Sequence, residues 1–156
     1  MGREGRTALL LLLGARVSSE GNQAASEPAT HAVVTADQVK FAPIEILDFA
    51  SGLKIAVVHG DPTATSGSYV IRLVFPDGYK IPPHWHPMAE NVTVLSGTLL
   101  LAMGDRVDDS KLKTYGPGDF LHIEGTHPHF GGARGATVIQ LHGQGPFAIN
   151  LVGAPK

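Results

Sequence analysis

From about Val39 onward, apolar residues come in short runs separated by turn formers. Phe41–Phe49 and Leu53–Val58 are two such runs, parted by Ser51-Gly52. Tyr69–Phe75 reads YVIRLVF, whose β-branched and aromatic content suits a strand, and Pro76-Asp77-Gly78 ends it. Asn91–Leu95, Thr98–Met103, Asp119–Ile123, Ala136–Leu141 and Phe147–Val152 are the strands expected next, and Lys113–Tyr115 leads into the turn at Gly116. Turns or loops fall at Asp61–Gly67, Ser96-Gly97, Asp105–Lys111, Gly116-Pro117-Gly118, Glu124–Pro128 and Gly131–Gly135. No stretch keeps a helical period over three turns. Roughly nine or ten short strands, with a turn every eight to twelve residues, predict an all-β sandwich or barrel.

The first part of the chain reads differently. Arg3 and Arg6 precede an unbroken apolar run, Ala8–Leu13, and small residues follow at Val17-Ser18-Ser19 and Ala24-Ala25-Ser26. This is the pattern of an export signal, with an apolar N-terminal helix as the rival reading. The run is too short for a stable membrane span. We therefore expect a signal peptide and flexible lead-in over 1–26, a linker over 27–39 and one β-domain over 40–152. Location is expected to be secreted or periplasmic, with cytoplasmic as the alternative.

Composition narrows the chemistry. With 156 residues the chain holds one domain with a real core. A formal net charge of −2 and no long basic run argue against nucleic acid or an anionic membrane as partner. There is no cysteine, so disulfides, thiolate metal sites and a cysteine nucleophile are excluded. Any metal must be held by nitrogen and oxygen. No phosphate-binding glycine loop and no serine-hydrolase elbow is present.

Eight histidines stand against that absence of cysteine. The stretch Gly78–Gly97 reads GYKIPPHWHPMAENVTVLSG. In an extended strand, alternate residues share a side, so His84 and His86 point one way and Trp85 the other. Glu90 reaches the same point if the chain pairs back after Pro87. Two neutral imidazoles and a carboxylate suit a divalent transition metal. Downstream, GDFLHIEGTHPHFGGA offers His129 as a third imidazole and His127 as its rival, since Pro128 between them spoils strand parity.

These residues resemble the motifs of the cupin family. Its first motif is Gly, five residues, His-x-His, three or four residues, Glu, six residues, Gly; Gly78, His84, His86, Glu90 and Gly97 match every position. In the second motif Gly118 and His129 fall on the Gly and His positions. Glu124 stands where Pro is usual, Thr126 where Gly is usual and Ala133 where Asn is usual. The resemblance selects His129 over His127. It implies a jelly-roll cupin barrel (a double-stranded β-helix) with a metal inside, held by His84, His86, Glu90 and His129, and a homodimer.

Such a ligand set leaves coordination positions open for water, substrate or oxygen. Iron, manganese or zinc is the expected ion, with nickel or copper also compatible. Val92 and Val94 share the parity of Glu90 and would make the pocket wall apolar, which suits a small organic ligand. Gln140 and His142 share strand parity with each other and, with His122, are candidate pocket residues. Arg72 could meet a carboxylate but reads more simply as a solvated edge residue. A small metal-dependent enzyme is expected, dioxygenase-like oxidation first and isomerisation or decarboxylation behind it. The alternative is a non-catalytic cupin that binds metal or a small ligand as a sensor.

Overall fold

The computed structural model describes Thr7–Ala8 and residues 31–153. The expected signal segment thus lies, apart from those two residues, outside the described part. Ten strands run in chain order: β1 Thr7–Ala8, β2 Ala42–Pro43, β3 Lys54–His59, β4 Ser68–Phe75, β5 Lys80–Trp85, β6 Glu90–Met103, β7 Lys113–Tyr115, β8 Phe120–Ile123, β9 His129–Gln144 and β10 Ile149–Leu151. Two short 3₁₀ turns, Ala36–Gln38 and Asp109–Lys111, are the only helical pieces among the described residues. None of its helices is long and apolar enough to cross a membrane.

All strand pairs are antiparallel, and the sheet curls on itself into a jelly-roll barrel. Its frame is β6 lying along β9, from Glu90 opposite Gly143 to Met103 opposite His129. The first half of β6 also pairs with β8, and its second half with β7. The second half of β9 pairs with β4, which carries β3 and then β2. The first half of β9 pairs with β5, whose other edge meets β10. The two long strands thus serve both walls of the barrel.

Alternation decides what faces inward. Along β4, Tyr69, Ile71, Leu73 and Phe75 are buried while Val70, Arg72 and Val74 are half-buried outside. Along β9, Ile139 and Leu141 point in, so Val138, Gln140 and His142 point out. In β6 the inward set is Glu90, Val92 and Val94, then Leu99 and Leu101. The change of parity between Val94 and Leu99 requires irregular pairing, and the register shifts twice, between Val94 and Ser96 and between Ser96 and Thr98.

Two expected turns are therefore not turns. Ser96-Gly97 is a bulge inside one continuous strand, and Gly131–Gly135 lies within β9. Glycine is required there for another reason. Gly97 has φ 74°, and a Cβ on it would collide with the Ala136 carbonyl oxygen and stand 2.5 Å from Thr137 Oγ1. At Gly131 a Cβ would strike the Leu100 carbonyl oxygen of the neighbouring strand. The expected strand over Phe41–Phe49 shrinks to Ala42–Pro43, and residues 44–53 instead form a strap across one end of the barrel.

Gly97→Ala combines a left-handed backbone with a backbone collision, so it is expected to cost roughly 2–5 kcal/mol. Gly135 also has a positive φ, 70°, but a Cβ there meets nothing within 4 Å. Gly135→Ala should cost only about 1 kcal/mol. Urea unfolding of both variants measures the difference, and equal losses would remove the steric account of the bulge.

Candidate metal centre

β5 delivers His84 and, just past its end, His86; the start of β6 delivers Glu90; the start of β9 delivers His129. The irregular pairing of β5 with β9 between Ile81 and His84 falls at Pro82-Pro83, where prolines have no N–H to give to a ladder. Beyond it the register recovers with His84 opposite His129. All four side chains are buried, each with at most 6% of its surface exposed. One nitrogen from each of His84, His86 and His129 lies within 4.8 Å of the others, so the three are positioned to bind a metal ion.

Each imidazole is held by the main chain at its other nitrogen. Nδ1 of His84 donates to the Pro82 carbonyl at 2.8 Å, Nδ1 of His86 to Ala148 at 2.8 Å, and Nδ1 of His129 to His127 at 3.1 Å. A carbonyl oxygen only accepts, so Nδ1 carries the proton and Nε2 carries a lone pair. Such outer bonds fix tautomer and ring orientation in metal sites. The Phe147 ring adds a further constraint, stacking on His86 at 4.9 Å with 19° between planes.

Glu90 completes the argument for a cation. Its Oε2 lies 3.2 Å from His86 Nε2 and its Oε1 lies 3.3 Å from His129 Nε2. With both imidazoles protonated at Nδ1, these are lone pairs facing lone pairs. Glu90 Oε2 has no hydrogen-bond partner, and a buried orphan acceptor is costly. Burial pushes the Glu90 carboxyl up, and the His86 and His129 imidazoles beside it pull the other way only when they carry a proton at Nε2. Burial drives His84 well below the ordinary 6.5, with His129 and His86 adding to the effect. Burial also lowers His86, against the pull of Glu90. A carboxylate beside the His84 and His86 imidazoles, which burial keeps neutral, lacks a counter-charge, and a divalent ion would supply one. The residues fit the group.

The cavity these atoms face has a volume of about 60 Å³. Apart from the four residues just named, its wall is wholly apolar and includes Phe49, Leu73, Val92, Leu101, Leu141 and Phe147. The other pocket candidates sit elsewhere. Gln140 faces outward and accepts from Arg72 Nε at 3.0 Å across the β4–β9 pair. His142 lines a separate outer groove with Met88 and Asn91. His122 is exposed, 2.8 Å from Asn91 Oδ1 and 3.3 Å from Glu124. Strand parity explains all three, since each lies one residue from an inward neighbour. His127 is exposed, and its carbonyl serves His129. Of the expected wall residues Val92 lines the cavity and Val94 does not; Phe147 and Phe49, like Leu73, Leu101 and Leu141, were missed by sequence reasoning.

The turn before His129 keeps its shape despite the altered motif. Thr126, at the position usual for Gly, has φ 66°, and its N–H donates to the His86 carbonyl at 2.7 Å. A β-branched residue in the left-handed region is strained.

Comparison with known proteins agrees with this geometry. Residues 71–141 match the family model of the cupin domain, and with the jelly-roll fold around them the chain carries a domain of the cupin superfamily. Among solved structures, the polyketide cyclase RemF from Streptomyces resistomycificus is 19% identical with a TM-score of 0.61, covering 81% of this chain and 88% of that one. An RmlC-like cupin from Shewanella frigidimarina NCIMB 400 is 15% identical with a TM-score of 0.56, covering 74% and 91%. The DMSP lyase DddQ from Ruegeria pomeroyi DSS-3 is 20% identical with a TM-score of 0.56, covering 79% and 62%. No curated protein sequence matches the chain.

Two outcomes are expected. In metal-free protein, His84 and His86 have folded pKa values below 6.5, so on acidification the unfolded chain takes up protons first. Stability is then complete above about pH 6.5 and falls as pH drops below it. Melting temperature of the chelated protein measured from pH 8 to pH 4 tests this, and a flat profile would contradict it. Second, Thr126→Gly should raise stability by about 0.5–1 kcal/mol, the relieved backbone strain less the added chain entropy of glycine. Denaturant midpoints report the sign.

Proposed function

We propose that this protein is a small mononuclear metal-dependent enzyme acting on a small organic substrate, with dioxygenase-like oxidation as the leading reaction. The observation that carries the reading is the inward aim of three Nε2 lone pairs and one carboxylate in a cavity whose remaining wall is apolar. His84, His86, His129 and Glu90 would hold the ion, iron, manganese or zinc first, with nickel or copper compatible. When bound, such an ion supplies Lewis-acid polarisation of a substrate oxygen and, if redox-active, one-electron chemistry toward dioxygen.

The chain's own residues do the rest. Phe147 and the main-chain carbonyls keep the imidazoles in register. The apolar wall keeps bulk water away and strengthens every charge interaction inside. Among the lining residues, Glu90 and the imidazole nitrogens are the groups able to accept a proton. That scarcity favours a second reading, a cupin that binds metal and a small ligand without turnover. Isomerisation or decarboxylation would also suit the site. Fold alone does not choose a reaction, and the cyclase and the lyase among the structural neighbours already differ in theirs.

Elemental analysis of untagged protein should give one ion per chain. His86→Ala should lower this well below one while the far-ultraviolet circular dichroism of the barrel is retained; unchanged stoichiometry would remove His86 from the ligand set. Oxygen uptake by iron(II)-loaded protein is then followed over phenols, diketones and thiols. Turnover with one class supports the enzyme, whereas saturable binding without uptake selects the binding reading.

A further inference from the structure

The strap over residues 44–53 forms part of the cavity wall, and the wall's chemistry and the cavity's size say what it accepts. Ile44, Ile46 and Phe49 on this segment line the cavity. Phe49 stands edge-on to His84, with ring centroids 5.6 Å apart and planes at 70°. Side-chain packing of Ile44, Ile46, Phe49 and Leu53 on the core holds the strap to the barrel, with few hydrogen bonds. Its main-chain bonds are Ile44 N–H to the Leu53 carbonyl and Phe49 N–H to the Ile46 carbonyl, both 3.0 Å and both internal. Tyr79 Oη donates to the Ala50 carbonyl at 2.6 Å, an anchor from outside the strap. At the tip Asp48 has φ 65°, a conformation that a non-glycine residue rarely holds, and Leu47 beside it is 66% exposed.

Behind Phe49 the space is about 60 Å³. That is well below the ~150 Å³ of an apolar cavity that admits benzene. An organic ligand therefore fits only if part of the wall moves, and Phe49, half-buried on a lining segment outside the strands, is the side chain over His84 that can yield. Once inside, it meets no hydrogen-bonding group except the four at the ion site. Each further hydroxyl or charge on the ligand is buried without a partner, at a cost of roughly tenfold or more in affinity.

Resting on the metal-centre reading above, we propose that the site takes a ligand with a single oxygen head for the ion and a wholly apolar body, and that Phe49 sets the size of that body. Sugars, polyols and dicarboxylates are excluded by the wall.

The test uses protein stripped by chelation and reloaded with cobalt(II), whose absorption band reports what binds to the ion. Hydroxamates share one head and differ in body. Hexanohydroxamate is expected to bind at least about tenfold tighter than gluconohydroxamate, which has the same six-carbon length with hydroxyls added. In Phe49→Ala the affinity of 2-naphthohydroxamate relative to acetohydroxamate should rise about fivefold or more, with Phe49→Leu intermediate. Should the alanine variant not melt cooperatively, the leucine variant decides. Gluconohydroxamate binding as tightly as its apolar counterpart, or an unchanged size ratio, overturns the proposal. If cobalt does not bind, the metal reading fails, and the chelated proteins melted with and without toluene still decide this one. A larger rise in melting temperature for Phe49→Ala than for the parent upholds it; an equal or absent rise overturns it.

Discussion

The structure depends on a concentration of electron pairs in a dry place. Three imidazole nitrogens and a carboxylate are turned toward one another inside a barrel whose other inward side chains are hydrocarbon. Nothing else in the cavity relieves that crowding. The protein tolerates it because each imidazole is pinned from behind by a peptide carbonyl, so the rings cannot rotate to donate toward Glu90. The same pinning that makes the metal-free cluster uncomfortable makes it ready for a cation.

The strand architecture exists in this form to bring those groups together. His84 and His86 leave β5, Glu90 opens the next strand β6, and His129 opens β9, which is distant from both in the chain. The long β6–β9 ladder is what lets one barrel have two walls and one interior, and the bulges around Ser96 and Gly97 let β6 present Glu90 and Val92 to that interior and, past the bend, Leu99 and Leu101 as well. Without the change of parity, half of that strand would turn its apolar side to water.

Much of this was legible in the chain. The spacing of Gly78, His84, His86, Glu90 and Gly97 carries its meaning locally, because strand geometry alone puts alternate imidazoles on one side. An all-β sandwich or barrel followed from short apolar runs between turn formers, and its jelly-roll form from the resemblance to the cupin motifs. What was not legible depended on partners distant in sequence. Glycine at 97 and at 131 gives the same signal for a turn as for a place where two backbones touch, and only the pairing of β6 with β9 tells them apart. Gln140 and His142 were correctly tied to each other by parity, but which way the pair faced depended on Ile139 and Leu141 being the inward set. Phe49 sat in an apolar run that read as strand. Its position over His84 is a property of the closed barrel, not of its neighbours in the chain.

The peptide carbonyls behind the imidazoles have a wider implication. Because Pro82, Ala148 and His127 hold the rings through main-chain oxygens, the hold does not depend on which side chains stand at those positions. Only Phe147 among the hydrocarbon residues leans directly on a coordinating ring with its flat face. Positions such as Leu73, Val92, Leu101 and Leu141 can therefore change shape, within what core packing allows, while the aim of the imidazoles stays constant. In a lineage built this way, a new guest molecule is reached by repapering the walls, and the fixture in the middle need never be rebuilt.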